Sequence, residues 1–495
     1  MNSFILLLAS AVGATRPDHA LFPPTIRGQS FSASTSCTEQ HAQLCSAAFD
    51  LNSERAMEPI TLPGVEGTAT FVKTGDIDAF WLRDAAEQCA VYLASARHKP
   101  LTAALERQLT GALKSATFFV RQDPYAHAFR REKDAADGWV FSHEYEADSL
   151  AFFLRFALDV SEVERLVAAD EGLFLPEGPL HQAVRTAVST LRTETEHERN
   201  STYRTSGSGP PAPSKPTGLI WSANRPSDDQ MEFSYSIPTN VFAAVQLDRL
   251  ARAMELSSAP CDASQAGAAH TAAAEPSTHS NRARLCWGDQ ALAAEADALV
   301  ASIRKGLSAF GTTSTTESTS TRRYCFEVDG LSSCSTMDDA NVPSLLSLPL
   351  LDPHHLVTEA PLVLATRRDI LSRANAFYFC GALGCGIGSP HVTGPCTEGP
   401  GSPFAWPCQS KGYIWPMSLI VQRATSTDAD ERETTLAMLL AHAAAANGTL
   451  HESFSADNAA AVSRPFFGWV NALFATHACD ECTTKLKMMR ANRVR

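Results

Sequence analysis

AAEQCAVYLASARHKPLTAALERQLTGALKSATFFV, residues 85–120, decides how this chain folds. Apolar residues recur at spacings of three and four on both sides of Pro100, the signature of amphipathic helices. Proline cannot continue a helix, so the stretch predicts two helices, 85–99 and 101–120, joined as a hairpin. The same spacing recurs at 38–51, 147–160, 178–195, 239–256, 290–308, 366–377, 415–424, 429–447 and 466–477. A shorter candidate, 342–351, is broken by proline. Alternation of the strand kind is confined to Thr68–Val72 and Tyr324–Val328. About twelve helices, often in close pairs, predict an all-α toroid of six inner and six outer helices. A helical solenoid is the competing architecture, but no fixed-period repeat supports it.

Between the helices lie stretches too polar or too simple to build core. They are Ser/Thr/Pro-rich 200–216, Ala/Ser/His-rich 257–284, Thr/Ser-rich 311–321 and Gly/Pro-rich 392–410. They read as exposed insertions in a single catalytic domain spanning 15–495. A formal net charge of −13 and the absence of a long Lys/Arg run argue against a nucleic-acid partner. No apolar run is long enough to span a bilayer, and a monomer is expected. Residues 4–12 form a short apolar segment followed by Gly13-Ala14, which reads as a secretory signal peptide over 1–14. Thirteen cysteines fit an oxidising compartment and leave one thiol over. Sequons begin at Asn200 and Asn447. The chain reads as secreted or luminal, disulfide-bonded and glycosylated.

The polar residues fall into clusters. Asn224-Arg225-Pro226-Ser227-Asp228-Asp229 sets two carboxylates side by side after an Arg-Pro pair, ahead of an aromatic segment. Pro226 holds Arg225 extended, and Ser227 or Asp228 is placed to cap a helix starting just after them. Adjacent buried aspartates favour one protonated carboxyl, which is what a glycosidase needs as general acid; a solvated helix start is the plainer reading. In TGDIDAFWLRD, Trp81 can stack on a sugar, while Asp76, Arg83 and Asp84 can grip hydroxyls in pairs. Glu144-Tyr145-Glu146-Ala147-Asp148 opens a helix, where acids also simply suit the dipole. Asp338, Asp339 and Asn341 precede a proline turn; they lack the spacing of an EF-hand and favour sugar hydroxyls over calcium. His391 ends a glycine turn that is no dinucleotide fingerprint. Cys479-x-x-Cys482 has no second half of a zinc site, so disulfides are expected and no metal or cofactor is. Glu452 lies just beyond the end of a long helix, flanked by His451 and aromatics.

Together these segments resemble glycoside hydrolase family 125. The matching pieces are TGDIDAFWLRD, EYEADS, NRPSDDQMEFSYSIPTN, YCFEVDGL, MDDANVPSLLSLP, GIGSPH, IWPMSLI (with Trp415), HESF and FFGWVNALF, in the family's order over roughly 70–475. The chain departs mildly at Ala85, at Thr336 and after Asp329, losing no carboxylate. The resemblance implies an (α/α)6 six-hairpin toroid and a metal-independent exo-acting α-mannosidase that prefers α-1,6 linkages and inverts the anomeric carbon. It implies a general acid in the Asp228-Asp229 pair, with Asp228 favoured, and Glu452 as general base. Arg464 or His451 would help to keep the base ionised. An inverting mechanism needs its two carboxyl groups about 6.5–9.5 Å apart, and a chain that closes on itself brings such distant residues together.

Two other readings compete. Another toroidal glycosidase would act on glucosides, and mannobiose against maltose or trehalose separates it from a mannosidase. A secretory lectin would bind mannose without cleaving it, and would not need both carboxylates. For the compartment, intact-mass measurement of the mature protein is expected to show the first residues removed and most thiols oxidised. A retained Met1 with every thiol free would contradict it.

Overall fold

A computed structural model describes residues 37–97, 100–205, 214–256, 287–314, 322–392 and 412–482. The expected signal peptide and the 257–284 insertion lie outside these residues, as does much of the other three insertions.

Twelve helices carry the architecture. They are α1 Glu39–Asp50, α2 Leu82–Ala96, α3 Ala103–Gln122, α4 Ala147–Ser161, α5 Pro179–Glu194 and α6 Ile237–Leu256. They continue with α7 Gln290–Phe310, α8 Leu348–Leu351, α9 Ala360–Ile370, α10 Pro416–Thr425, α11 Ala429–Ala445 and α12 Gly468–Ala478. The even-numbered helices form a closed inner ring: α2 packs on α4, α4 on α6, α6 on α8, α8 on α10, α10 on α12, and α12 back on α2. Odd-numbered helices lie outside, α1 against α12, α3 and α5 against α4, α7 against α6 and α11 against α10. Arg367 on α9 reaches Glu431 on α11 at 3.0 Å. This is the (α/α)6 toroid.

Because the chain steps outward and back at every turn, the inner helices run the same way and their N-termini gather at one end. Four outer helices carry side-chain caps, while outer α5 and α9 do not. Outer helices α1, α3, α7 and α11 are capped by the side chains of Thr38, Thr102, Asp289 and Asp428. Inner helices α2, α4, α10 and α12 begin at Trp81, Glu146, Trp415 and Phe467 with no side-chain cap. The positive dipole ends of the inner ring thus face a common space, which favours carboxylates there. At the opposite end, buried ion pairs pin the ring: Arg155 to Glu87 at 2.9 Å, and Arg97 and Arg249 to Asp159 at 3.1 and 2.7 Å.

The ring is stitched where its first and last segments meet. Disulfides Cys37–Cys482 and Cys45–Cys479 tie α1 to the end of α12, and His41 Nε2 lies 2.7 Å from the Ala478 carbonyl. At the other end of α12, Gly468 N donates to the Thr74 carbonyl at 2.7 Å, and Gly75 pairs with Phe467. A Cβ on Gly75 would lie 2.3 Å from the Phe466 carbonyl oxygen, so only glycine allows this approach. Disulfides also join Cys325 to Cys334 and Cys380 to Cys385, while Cys89 is a free, buried thiol.

Three expectations need correction. The helix read at 366–377 runs over Ala360–Ile370, because Pro361 starts it and the chain turns at Leu371. The 342–351 candidate keeps only Leu348–Leu351. The strand read at Tyr324–Val328 is two short strands with different partners, since Cys325 N turns away to the Gly311 carbonyl. Hairpins at Ala128–Ser142 and Tyr378–Ile387, and a three-stranded sheet built from 413–414, 453–455 and 458–463, carried no alternation strong enough to read.

Both seam disulfides close loops of more than four hundred residues, where a cross-link restricts the unfolded chain most. Replacing Cys45 and Cys479 together by alanine is expected to cost about 2–5 kcal/mol. Thermal unfolding would show it as a fall of several degrees, with a smaller effect from the Cys380/Cys385 pair.

Candidate active site

Arg83, in the first turn of α2, is buried at the gathered N-termini. Its Nη1 reaches Glu146 Oε2 at 2.6 Å and Asp148 Oδ2 at 3.4 Å; its Nη2 donates to Asp228 Oδ1 at 2.9 Å; its Nε lies 3.6 Å from Asp84 Oδ2. The guanidinium also sits over the Trp469 ring, 4.8 Å from its centroid. One cation therefore faces four carboxylates from α2, α4 and the 224–233 loop. Burial raises the carboxyl of Asp84 to about 6 and that of Asp148 to about 7, against the pull of Arg83. Burial also lifts Glu146 well above the ordinary range, with Asp228 adding to it. His127, Glu146 and Asp228 each offer an atom within 4.8 Å of the others, a grouping that resembles a cation site. Arg83 already brings positive charge to both of its carboxylates.

The 224–233 loop is not a helix start. Arg225 N donates to the Asp229 carbonyl at 2.8 Å and Asp228 N to the Arg225 carbonyl at 2.9 Å, while Asn224 Nδ2 holds the Asp228 carbonyl at 2.9 Å. This tight fold puts Asp228 at φ 66°, a left-handed conformation that aspartate tolerates better than most residues. Neither Ser227 nor Asp228 caps a helix, contrary to the sequence reading, and α6 begins only at Ile237. Arg225 braces the loop rather than the sugar: its Nε donates to Glu327 Oε1 at 2.5 Å. Glu327 Oε2 takes the N–H groups of Glu232 and Phe233, each at 3.0 Å.

The loop turns its two aspartates apart. Asp228 points to Arg83 and, at 3.6 Å, to His127 Nδ1. Asp229 faces His391 Nδ1 at 3.1 Å and accepts from Ser227 Oγ at 3.3 Å. Burial would raise the Asp228 carboxyl, but His127, Arg83 and His391 together hold it down at about 2. The expected source of a shared proton, Asp229, is thus not the one the structure supplies. Glu146 shares Arg83 with Asp228 and is raised by burial and by that neighbour, so it is the member of the pair that favours the neutral form. Asp228 alone of the Arg83 carboxylates opens to solvent, its side chain 31% exposed against 0% for Glu146.

Glu452 is buried, and its Oε2 accepts from Ser463 Oγ at 2.9 Å. Burial raises its carboxyl, while His391 and Arg464 oppose the rise. His391 is held against burial by Asp229, Glu452 and Asp228, which lift it to about 10. It is an imidazolium that feels all three carboxylates. His451 does not play the supporting part expected of it, because burial lowers its imidazole below the ordinary value. Arg464 does, from a left-handed backbone (φ 54°).

The other expected residues divide. Asp76 is occupied by Arg464, at 2.9 Å from its Nε, and clamps the seam. Asp338 is a backbone anchor: it is fully buried, and its two oxygens take Leu345 N and Leu346 N at 2.7 and 3.0 Å. Trp81 has no open face for a sugar; it is 6% exposed and met edgewise by His127 and Phe141. Asn341 Nδ2 holds Asp339 Oδ1 at 2.9 Å, while Asp339 Oδ2 is buried without a hydrogen bond among the described residues. The same holds for Asp148 Oδ1, Trp415 Nε1 and Trp469 Nε1. Unmatched donors and acceptors on these neighbouring residues fit a polyhydroxylated ligand, since a buried polar group normally finds a partner. His127, Glu146, Trp469 and Glu327 escaped the sequence reading. Glu146 had a signal, but its place at a helix start made capping the simpler account.

Asp148 makes the site costly in a pH-dependent way. Between its unfolded value near 4 and its folded value of about 7, the folded protein binds a proton that the unfolded chain lacks. Stability from this group is therefore present at low pH and lost as pH rises through 7. Asp148→Asn is expected to flatten the dependence of the unfolding temperature on pH between 5 and 8, most visibly by stabilising the alkaline side.

Residues 40–479 match the family described as metal-independent α-mannosidase, GH125. The meiotically up-regulated gene 157 protein of Schizosaccharomyces pombe is 30% identical over 465 residues, covering 86% of this chain and 79% of that protein. A solved metal-independent α-mannosidase of Streptococcus pneumoniae, in a non-productive complex with α-1,6-mannobiose, superposes with a TM-score of 0.68. It is 30% identical, over 89% of this chain and 93% of its own. With a family match that spans nearly the whole toroid, and carboxylates assembled on its inner ring, the chain belongs to the metal-independent α-mannosidases of glycoside hydrolase family 125.

Proposed function

We propose that this protein is an exo-acting α-mannosidase that removes terminal α-1,6-linked mannose from glycans with inversion, using Asp228 as general acid and Glu452 as general base. The observation that carries the reading is His391, which lies 3.1 Å from Asp229 and feels the charges of Glu452 and Asp228 as well. Carboxylates from the middle and the last part of the sequence thereby act on one imidazole. The solved relative was captured with α-1,6-mannobiose, which supports the linkage.

In this mechanism Asp228 passes a proton to the glycosidic oxygen while Glu452 takes one from the attacking water. His391 and Arg464 favour the ionised form of Glu452 that a base requires. Asp229 keeps His391 charged and in place. Asp339, Trp415 and Trp469 offer unmatched polar atoms to sugar hydroxyls. No part is assigned to a metal or cofactor. Four disulfides among the described residues agree with a secreted or luminal protein.

Purified protein in excess EDTA is expected to hydrolyse α-1,6-mannobiose, with β-mannose as the first anomer seen by proton NMR. Release of α-mannose first would overturn inversion, and cleavage of maltose or trehalose instead would overturn the substrate. Activity lost to chelator and restored by a divalent ion would overturn the metal-free mechanism. Glu452→Gln should lower kcat by about a hundred- to ten-thousand-fold while mannose still binds.

A further inference from the structure

An inverting hydrolysis leaves its acid as a carboxylate and its base protonated, so a proton must return to the acid before the next turnover. We propose that Glu146 stores the proton that Asp228 delivers, and that His127 relays its replacement from Glu144 at the surface. The proposal rests on Asp228 being the general acid.

The oxygens of Glu146 are used unequally. Oε2 accepts from Arg83 Nη1 at 2.6 Å and from Ser149 Oγ at 3.3 Å, and lies 3.0 Å from His127 Nδ1. Oε1 is buried and receives no hydrogen bond from any described donor. A carboxyl oxygen that accepts nothing in a dry site is the one that carries the proton. Asp228 shares Arg83 with Glu146 and lies within 4.8 Å of it, which makes it the neighbouring acceptor. Two carboxyl groups so joined titrate as a pair, and Arg83 keeps the second of them ionised.

His127 continues the path outward. Its ring is buried, and neither nitrogen makes a well-formed hydrogen bond among the described residues. Nδ1 lies 3.0 Å from Glu146 and 3.6 Å from Asp228, while Nε2 lies 3.7 Å from Glu144 Oε2. Glu144 is 40% exposed and meets solvent. Burial, with Arg83, lowers the imidazole below its ordinary value, against the pull of Asp228, Glu144 and Asp148. The ring presents Nε2 to Glu144 and Nδ1 to Glu146, so it can take a proton at one nitrogen and release one at the other. The steps balance: Glu146 gives its proton to Asp228 as Asp228 protonates the leaving oxygen, which leaves Asp228 ionised again and Glu146 as the carboxylate. His127 then restores Glu146, and solvent restores His127 through Glu144.

The test compares α-1,6-mannobiose, whose leaving group needs protonation, with an activated aryl α-mannoside, whose phenolate does not. Asp228→Asn should lose about a hundredfold or more on the disaccharide and far less on the aryl substrate. Glu146→Gln should show the same selectivity, about tenfold in size, with the basic limb of its kcat/KM profile moved to lower pH. His127→Gln should lower kcat for mannobiose at unchanged KM, with rate restored by added imidazole. Glu144→Gln, at the surface, should cost about two- to threefold in kcat.

Equal losses on both substrates in Asp228→Asn would remove the acid assignment and the relay with it. If Asp228→Asn behaves as stated but Glu146→Gln keeps the wild-type limb and substrate ratio, the relay alone falls. Should Glu146→Gln fail to fold, His127→Gln and Glu144→Gln decide the matter: wild-type kcat in both overturns the relay.

Discussion

The site depends on one buried guanidinium. Arg83 is the positive charge around which Asp84, Glu146, Asp148 and Asp228 are all gathered. Without it, four carboxyl groups would be desolvated together with only the neutral or weakly basic ring of His127 among them. Removing one partner of a buried ion pair typically costs about 3–5 kcal/mol, and here one cation serves several partners. Its placement over Trp469 gives it an aromatic floor from the last inner helix. The residue therefore joins the start of the ring, its second inner helix and its end.

The two poles of the toroid use buried charge differently. At the far pole, Arg97, Arg155 and Arg249 face Glu87, Asp159 and Glu162, so that each cation finds an anion. At the site, acids outnumber bases, and the excess is held by protonation and by the dipoles of uncapped inner helices. A matched network gives rigidity, whereas an unmatched one keeps protons available near neutral pH. The fold accepts that strain because the far pole and the seam hold the ring closed independently of it.

Much of this was legible in the sequence. Helices repeat a three-to-four apolar spacing that survives without tertiary context, so most of the stretches first read fall within a few residues of the observed helices. The stretch at 366–377 failed because Pro361 sets the start of the helix and periodicity alone does not weigh a proline at the first turn. The short hairpins went unread since their strands pair at the ring's rim and are half exposed, with no alternating face. At the site, Asp228, Asp229, His391 and Glu452 stand in compact motifs, which is why the sequence draws attention to them. His127 sits alone before a strand and Glu146 poses as a helix cap; only the folded ring reveals that both meet Asp228. Asp338, conversely, looked like a ligand-binding acid and proved to anchor a turn.

The stitched seam has a topological consequence. Cys37 and Cys482 have their Cα atoms 5.1 Å apart, so the described chain begins and ends at one point on the outside of a closed ring. Such a ring has no preferred origin. A short peptide joining those two residues would leave every inner helix in its place, and the cut could be moved to a polar connection such as the one between α6 and α7. A circularly permuted chain of that kind would carry its new ends far from the original seam, with the order of the hairpins rotated and their neighbours unchanged.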